Sequence, residues 1–166
     1  MKFPPIRQNA FNRLLHHITM SKIGLALFIP TAHHLDRVML ALTGGRYTSF
    51  GLFGGALVVM VGMTGAKSGL PRSLPLMAIP QGEDLLLIAS NWGQARNPGW
   101  YYNLRANPRV TITYRGQTEA YLARELQGEA REQAFELAYQ VYRGYRLYRV
   151  RAAPREIPVL RLSPLH

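Results

Sequence analysis

The stretch "ALVVMVGMTGAKSGLPRSLPLMAIPQGEDLLLIAS", residues 56–90, holds three apolar runs separated by two short polar turns. The runs cover residues 56–63, 73–80 and 84–90, and their length and their aliphatic and β-branched side chains favour strands. Neither turn is long enough for a crossover connection, so neighbouring strands must pair in antiparallel fashion. This stretch therefore predicts the first half of an antiparallel sheet.

The remaining sequence predicts a hairpin, a closing strand and several helices. "RVTITY" and "TEAYLARE" flank the turn "RGQ", and "IPVLRL" is a further strand near the end of the chain. Six or so short strands with helices outside indicate an α+β fold built on a small, mainly antiparallel barrel. We expect one domain, residues 1–166, in which residues 1–45 form an N-terminal helical extension. The predicted helices cover residues 9–18, 33–45, 97–108 (with Pro98 as the first helical residue) and 128–142.

Arginine dominates the charge of the chain. The formal net charge is +11, and seventeen of the twenty basic residues are arginine. Because the guanidinium group suits phosphate and carboxylate, the partner is expected to be anionic: nucleic acid, an acidic membrane face or a phosphorylated small molecule. The chain has no cysteine, which excludes disulfides and thiolate chemistry and leaves the cytoplasm as the default location.

Two apolar stretches resemble membrane or targeting signals. Residues 47–66 carry no charge, and about twenty apolar residues can span a bilayer. Five glycines interrupt this stretch, however, and its apolar centre is short, which favours a buried strand after a turn. Residues 23–29 are too short for a signal peptide and lack a clear cleavage site, so secretion is not expected.

The segment "GMTGAKSG", residues 62–69, resembles a phosphate-binding P-loop but does not match that motif. Ala66 stands where the motif requires a glycine before the lysine, and the prolines that follow prevent a long helix. What remains is a turn between two strands that presents Lys67, Ser68 and Arg72. Exposed turn amides together with two cations predict an anion-binding cradle.

The histidines and Ser90 do not form recognisable catalytic motifs. Adjacent histidines, as in His16-His17 and His33-His34, point about 100° apart on a helix and do not chelate a metal by themselves. Ser90 lies in "ASNWG", which is not a nucleophile elbow. Neither a metal centre nor a serine hydrolase is predicted.

Two aromatic segments are better candidates for a binding site. "NPGWYYNLRANP", residues 97–108, places aromatic rings and an asparagine on one short helix, which suits a flat ring with a charged tail as well as plain packing. In "QVYRGYRLYRVR", residues 140–151, Tyr142, Tyr145 and Tyr148 would cover about 120° of a helix, with arginines on a neighbouring face. Taken alone, this pattern also fits tyrosines that pack in a core, or a basic surface for nucleic acid or membrane.

Four blocks of the sequence form a recognisable series: "MTGAKSGLPRSLPL", "LLLIASNWG", "NPGWYYNLRANPRVTI" and "VYRGYRLYRVRAAPREIPVLRL". In this order they resemble the deazaflavin-dependent nitroreductase family, whose members are split β-barrels related to FMN-binding barrels. The resemblance covers about residues 35–163. It implies binding of reduced 8-hydroxy-5-deazaflavin, coenzyme F420, and transfer of its hydride to a nitroaromatic, a quinone or another activated double bond. The phosphodiester and polyglutamate tail of this coenzyme would account for the excess of arginine.

The resemblance also implies a set of contact residues. The turn would bind the anionic tail, and the aromatic helix would complete the groove for that tail. The second strand would line the ring, and the third strand would lie along the edge of the ring. The implied cofactor contacts are Ala66, Lys67, Ser68, Arg72, Ser73, Leu74, Pro75, Leu76, Met77, Ile88, Ala89, Ser90, Asn91, Gly99, Trp100, Tyr101, Tyr102 and Asn103. The implied catalytic residues, facing the substrate, are Ser90, Tyr142, Tyr145 and Tyr148.

The expected protein is thus an F420-dependent oxidoreductase acting on a small electrophilic substrate, with the three tyrosines on a lid and Gly144 allowing that lid to bend. Two alternatives stay open. One is an FMN-dependent reductase of the same fold. The other is a non-enzymatic basic module that binds anionic membrane or nucleic acid; peripheral membrane contact is also compatible with the enzyme, whereas nucleic acid is not an expected partner of it.

Overall fold

The structure is a computed structural model that describes residues 1, 3, 4 and 57–165. The helices predicted at residues 9–18 and 33–45 lie outside these residues, as do both histidine pairs. The N-terminal extension therefore stays a prediction. The charge-free stretch is described from residue 57 onward, and there it forms a strand, as expected.

The first three strands form in the order that the apolar runs predict. They are β1 (Leu57–Thr64), β2 (Pro71–Gln81) and β3 (Asp84–Ile88), each antiparallel to the one before it. Along β1, buried and half-buried residues alternate, because successive side chains of a strand point to opposite faces. Every second β1 side chain therefore enters the core, and the others point outward.

The second half of the barrel consists of a hairpin and the final strand. β4 (Arg109–Tyr114) and β5 (Gln117–Leu126) are joined by Arg115 and Gly116, whose φ angles of 50° and 81° suit a tight turn that follows the twist of the strands. β6 (Val159–Pro164) pairs with β3 on one side and β5 on the other.

The sheet closes because β4 also pairs with β1, which gives the strand order β1-β2-β3-β6-β5-β4. Each of the six described strands therefore pairs with a neighbour on both sides, and the inward side chains fill the barrel. Tyr121, Leu85, Ile112 and Leu162 are among the largest fully buried residues. The predicted α+β split barrel of six antiparallel strands is confirmed.

Three described helices lie outside the barrel: α1 (Gly99–Ala106), α2 (Gly128–Val141) and α3 (Gly144–Ala152). Pro98 precedes α1 in an extended conformation, with ψ at 151°, so the prediction that it is the first helical residue is wrong. Side chains of α2 and α3, among them Phe135 and Ala138, pack with Ile79 and Leu86 of the barrel in a second apolar cluster. The two helices thereby cover one side of the sheet.

The segment that carries the three tyrosines is interrupted at Tyr142, which corrects the expectation that all three tyrosines lie on a helix. Tyr142 lies between α2 and α3 with an extended backbone, φ −144° and ψ 104°. Its ring folds back onto Gly144, where a Cβ atom would overlap Cε1 of the ring and lie 2.7 Å from the hydroxyl oxygen. Gly144 is therefore required for a close contact, which accounts for a glycine here without any bending of the segment.

Within residues 57–165, none of the helices is both long enough and apolar enough to cross a bilayer.

Candidate functional site

A cavity of about 270 Å³ lies between the outer face of the barrel and the segment that contains α3. Its volume is close to the lower end of the range for small-molecule pockets, about 300–1,000 Å³. It is lined by Val58, Leu74, Pro75, Leu76, Met77, Ile88, Ser90, Asn91, Trp92, Pro98, Trp100, Tyr142, Tyr145 and Tyr148.

Strands β1 and β2 supply the flat apolar wall of the cavity. Val58 is the register partner of Met77, so their side chains point to the same side of the sheet, away from the core residue Val59. Pro75, whose register partner is Met60, also belongs to this wall. It has no backbone N–H that could bind a ligand. This wall can pack against an aromatic ring and offers few polar groups to compete for it.

The opposite wall is a cluster of the three tyrosines. The hydroxyl groups of Tyr142 and Tyr148 lie 3.0 Å apart in a hydrogen bond. The ring of Tyr145 meets those of Tyr142 and Tyr148 edge to face, with centroids 5.3 and 6.2 Å apart. All three side chains are almost completely buried, so they are held by packing as well as by the hydroxyl pair.

Burial keeps these hydroxyl groups protonated. Desolvation raises the pKa of Tyr145 and of Tyr148 far above the ordinary value, and it also raises the pKa of Tyr142, although the hydrogen bond to Tyr148 opposes the shift there. At neutral pH the cluster is therefore uncharged. It can donate hydrogen bonds to a ligand oxygen, and it is not a source of phenolate.

The loop after β3 forms a third wall through an unusual turn. Asn91, Trp92 and Gly93 have φ angles of 47°, 58° and 79°, three consecutive residues in the left-handed region. The side-chain amide of Asn91 donates to the carbonyl of Arg96 at 2.8 Å. The rings of Trp92 and Tyr148 meet in a T-shaped arrangement, with centroids 5.9 Å apart. A bulky side chain in this region is strained, and such strain is found mostly at functional sites.

Gly93 is required for the contact between this loop and α3. A Cβ atom at Gly93 would lie 3.0 Å from the backbone of Tyr148 and 2.7 Å from Cβ of Arg151. The positive φ at this position is also one that L residues rarely adopt. The loop and the tyrosine cluster are consequently packed as one unit.

The turn between β1 and β2 carries the predicted cationic cradle. Lys67, Ser68 and Arg72 are exposed. A Cβ atom on Gly65 would lie 2.6 Å from Oγ of Ser68 and 2.9 Å from Nε of Arg72, so these two side chains gather over the same glycine. A hydroxyl and a guanidinium that meet at an exposed turn form a suitable place for an anion.

Most of the turn amides, however, are not available to an anion, which corrects one detail of the prediction. Gly69 N donates to the carbonyl of Gly65 at 2.9 Å, and Leu70 N donates to Oγ of Ser68 at 3.3 Å. Ala66 N donates to Oδ1 of Asn103 at 2.9 Å. Anion binding at this turn must therefore rest mainly on the side chains.

Helix α1 links the cradle to the cavity. Trp100 lines the cavity, and Asn103, three residues later, holds the turn through Ala66. Three residues of helix rise about 4.5 Å, so the two contacts lie within one turn of helix. Strand β2 makes the same link, because Arg72 comes two residues before Leu74. The apolar cavity and the cationic turn are therefore neighbouring parts of one region.

The structure brings together most, but not all, of the residues that the sequence analysis selected. Ala89 and Tyr101 are buried in the barrel core, where the Tyr101 hydroxyl donates to the carboxylate of Glu125. Tyr102 and Gly99 are exposed and do not line the cavity. The side chains of Ala89 and Tyr101 therefore pack in the core cluster and do not line the cavity, contrary to the expectation that they contact a ligand.

Three lining residues were not among the predicted contacts: Val58, Trp92 and Pro98. The alternation of buried and half-buried residues along β1 indicates that Val58 points outward, on the same face as Met60. Trp92 could not be selected in this way, because its place depends on the left-handed turn. Pro98 enters the wall only because it precedes α1 in an extended conformation.

A second, more open depression of about 660 Å³ lies on the outer face of β1, β2 and β4. Arg72 and Ser73 line it together with Arg109 and Thr111. Arg72, which was predicted to hold the anionic tail, and Ser73, another predicted cofactor contact, therefore line this depression and not the smaller cavity.

The tyrosines and the arginines of the 140–151 segment lie on different faces, as their spacing predicts. The tyrosines are buried, whereas Arg143, Arg146 and Arg151 are exposed. Arg149 forms two hydrogen bonds with the carboxylate of Glu132, at 2.8 and 3.2 Å. The arginines thus form an outer basic face, and the phenol groups belong to the cavity.

Comparison with known proteins agrees with this geometry. The model of a family described as F420H(2)-dependent quinone reductase matches residues 35–164. An F420H(2)-dependent quinone reductase of Mycobacterium tuberculosis is 49% identical over 49 residues, which are 30% of this chain and 33% of the relative. The aligned part of the chain thus spans about a third of the length of the curated relatives it matches.

Two solved structures are similar over more of the chain. An F420-H2-dependent reductase, FDR-A, is 36% identical, covers 64% of this chain and 93% of its own, and superposes with a TM-score of 0.59. A protein described as a domain-swapped dimer is 32% identical, with 81% of this chain and 99% of its own covered and a TM-score of 0.60. Since the family model covers most of the chain, including every wall of the cavity, the chain belongs to the F420H(2)-dependent quinone reductase family.

Proposed function

We propose that this protein is an oxidoreductase that uses reduced coenzyme F420 to reduce a quinone to a hydroquinone. When bound, the reduced deazaflavin supplies a hydride, and a proton completes the reduction of the acceptor. Nitroaromatics and activated alkenes are alternative acceptors, because they too accept a hydride and a proton. The protein contributes by binding, by orientation and by the electrostatics of the site.

The observation that carries this proposal is the continuity between the apolar cavity and the cationic turn. A ligand with a flat ring and an anionic tail needs both features, and they must be close together. Strand β2 provides Arg72 and Leu74, and α1 provides Asn103 and Trp100. The residues present therefore fit a deazaflavin with a charged tail.

The barrel wall would hold the ring of the coenzyme. Leu74, Leu76 and Ile88 offer an apolar surface that excludes water, which favours transfer of a hydride over its loss to solvent. Lys67, Ser68 and Arg72 would hold the anionic tail through charge-assisted hydrogen bonds. Ser90 lies at the edge of the same cavity and can place its hydroxyl near the ring or the acceptor.

The tyrosine cluster would act on the acceptor. Reduction places negative charge on a quinone oxygen, and a neutral phenol can stabilise that charge by donating a hydrogen bond. In the Tyr142–Tyr148 pair either hydroxyl can be the donor, so the pair can adjust its protons when an acceptor binds. The balancing proton would come from water, because desolvation raises the pKa of the three tyrosines and keeps their own protons in place.

A titration tests the proposal directly. Coenzyme F420 is added to the purified protein and binding is followed by deazaflavin fluorescence, and oxidation of the reduced form is then measured with a soluble quinone. Saturable binding and quinone-dependent oxidation are expected. Binding of FMN in place of F420 would favour the alternative reductase of the same fold. Binding of neither cofactor, together with retention on RNA or anionic vesicles, would favour the non-enzymatic basic module.

Peripheral contact with an anionic membrane is a second proposal, supported by the outer face of α3. Arg143, Arg146 and Arg151 are exposed there, and beside them Val150 is 75% exposed. Exposed cations with an apolar side chain are typical of a surface that lies against acidic headgroups. We expect the protein to sediment with vesicles containing phosphatidylserine, less so in high salt, and substitution of the three arginines by glutamine to abolish this sedimentation.

A further inference from the structure

Arg155 makes an unusually large number of contacts to one loop. Its Nε donates to the carbonyl of Gln94 at 3.0 Å, and Nη2 donates to the carbonyl of Ser90 at 2.9 Å. Nη1 donates to Oδ1 of Asn97 and to the carbonyl of Ala89, the latter at 3.4 Å. One guanidinium group thus binds four acceptors between residues 89 and 97, although it lies about sixty residues further along the chain.

All four acceptors are neutral. Among the described residues, no carboxylate forms an ion pair with Arg155, whereas the nearby Arg131 pairs with Glu156 at 2.8 Å. Burial lowers the pKa of Arg155, which agrees with a partly desolvated cation without a counter-ion. The fork of five N–H donors, and not charge neutralisation, therefore explains why an arginine stands at this position.

The loop that Arg155 binds needs support. Asn91 and Trp92 both occupy the left-handed region, and such residues persist only when the surroundings hold them there. Within the turn, the carbonyl of Ser90 accepts from Gly93 N at 2.9 Å and also from Arg155. The guanidinium thus binds the first residue of the strained turn and, through Gln94, the residue that follows it.

We propose that Arg155 is a positioning residue that holds the 89–97 loop in its left-handed turn, so that Ser90 and Trp92 form a wall of the cavity. Arg155 does not line the cavity itself, and it acts on a ligand only through the loop. Its effect on quinone reduction rests on the proposed function. Its effect on the loop does not, which allows the two to be tested separately.

Trp92 reports on the loop without any cofactor. The chain has two tryptophans, so a Trp100→Phe background leaves Trp92 as the only indole. In this background, Arg155→Ala is expected to shift the emission of Trp92 to longer wavelength and to increase its quenching by acrylamide at least twofold. Millimolar guanidinium chloride, which can fill the vacated site, should reverse part of this change. Arg155→Gln, which keeps one amide donor, should give an intermediate result. It replaces the alanine variant in the experiment if that variant does not fold.

Arg131→Ala is the matched control. Arg131 is a buried guanidinium, whereas Arg155 is half-buried. Arg131 binds the same C-terminal segment, through the carbonyl of Ile157 and the carboxylate of Glu156, but it makes no hydrogen bond to the 89–97 loop. Its loss should lower the melting temperature and leave the Trp92 signal of the folded protein unchanged. If both variants change the signal equally, or if Arg155→Ala leaves it unchanged, the positioning role is refuted.

Kinetics of the otherwise wild-type enzyme complete the experiment. Arg155→Ala should lower kcat/KM for a soluble quinone at least tenfold, with recovery in millimolar guanidinium, because the wall that orients the acceptor is lost. A changed Trp92 signal with unchanged kcat/KM would refute a role of this wall in the reaction. If the parent protein reduces no quinone but Trp92 responds as expected, the proposed function fails and the structural role of Arg155 stands.

Discussion

The hydroxyl groups of Tyr142 and Tyr148 lie 3.0 Å apart, although the two residues belong to different elements. Tyr142 lies in the break after α2, and Tyr148 lies in the middle of α3. Their hydrogen bond connects the residue in this break to α3 on the side that faces the cavity. It also brings two neutral donors to one point of the wall, where an acceptor oxygen can meet them.

Removal of either hydroxyl should therefore impair acceptor reduction more than folding. A hydrogen bond of this kind contributes ~0.5–1.5 kcal/mol, so Tyr142→Phe and Tyr148→Phe should each lower kcat/KM for a quinone by about 2- to 10-fold. The affinity for F420 should change little, because the rings stay in place. Steady-state kinetics and a cofactor titration measure the two effects. Tyr139→Phe, outside the cavity, is the control, and parent rates in both cavity variants would contradict a role of the hydroxyls.

Gly144→Ala should destabilise the protein, because the added methyl group would overlap the ring of Tyr142. Overpacking of this kind costs about 1–3 kcal/mol, measured by urea denaturation. In a Tyr142→Ala background the overlap is gone, and the same substitution should be neutral or stabilising, since alanine is the better helix former. A change of sign between the two backgrounds identifies a packing contact. An equal cost in both would contradict it.

Loss of the cationic turn should weaken the coenzyme's tail contacts. Lys67→Ala together with Arg72→Ala is expected to raise the Kd for F420 at least tenfold at low salt, since charge-assisted hydrogen bonds are worth ~1.5–3 kcal/mol each before screening. The difference should shrink as salt increases, because both residues are exposed. Arg124→Ala with Arg146→Ala removes the same charge elsewhere and should have little effect. An equal loss in this control would indicate a general effect of net charge.

Tyr121→Phe should stabilise the barrel. The Tyr121 hydroxyl is buried in the core, and among the described residues it has no hydrogen-bond partner. An unsatisfied buried hydroxyl costs about 1–3 kcal/mol, so its removal should raise the melting temperature by a few degrees. Tyr101→Phe is the contrasting variant, because it removes a hydroxyl that does bind Glu125, and it should be destabilising. A lower melting temperature for Tyr121→Phe would contradict the prediction.

The same residue should contribute to alkaline unfolding. Burial raises the pKa of Tyr121 to about 12, whereas an unfolded tyrosine ionises near 10. Between these values the folded state retains a proton that the unfolded state has lost, so stability is unaffected below pH 10 and falls as pH rises toward 12. Tyr121→Phe should reduce the steepness of this fall by at most about 1.4 kcal/mol per pH unit. An unchanged slope in pH-dependent urea denaturation would contradict the raised pKa.

The strands, the turns between them and the cationic side chains of the β1–β2 turn could be predicted from the amino-acid sequence. Their signals are local: alternation along β1, short polar turns that force antiparallel pairing, and cations on a turn that cannot be a P-loop. The cavity-lining residues of β2, by contrast, were selected through the family resemblance, because consecutive residues from both faces of the strand line the cavity and alternation alone does not select them. The tyrosine segment was only half predictable, because spacing separated phenols from arginines but did not reveal the break at Tyr142.

The shape of the cavity depends on long-range contacts that the sequence does not reveal. The left-handed conformation of Trp92 has no local sequence signal, because a bulky residue does not favour it and distant groups must hold it there. One of those groups is Arg155, 65 residues from Ser90 along the chain. Likewise, the sequence predicts only that Gly144 allows a bend, whereas the structure shows that the absence of a side chain there makes room for the ring of Tyr142. Local periodicity determines which face a residue takes, whereas long-range packing decides which residues meet.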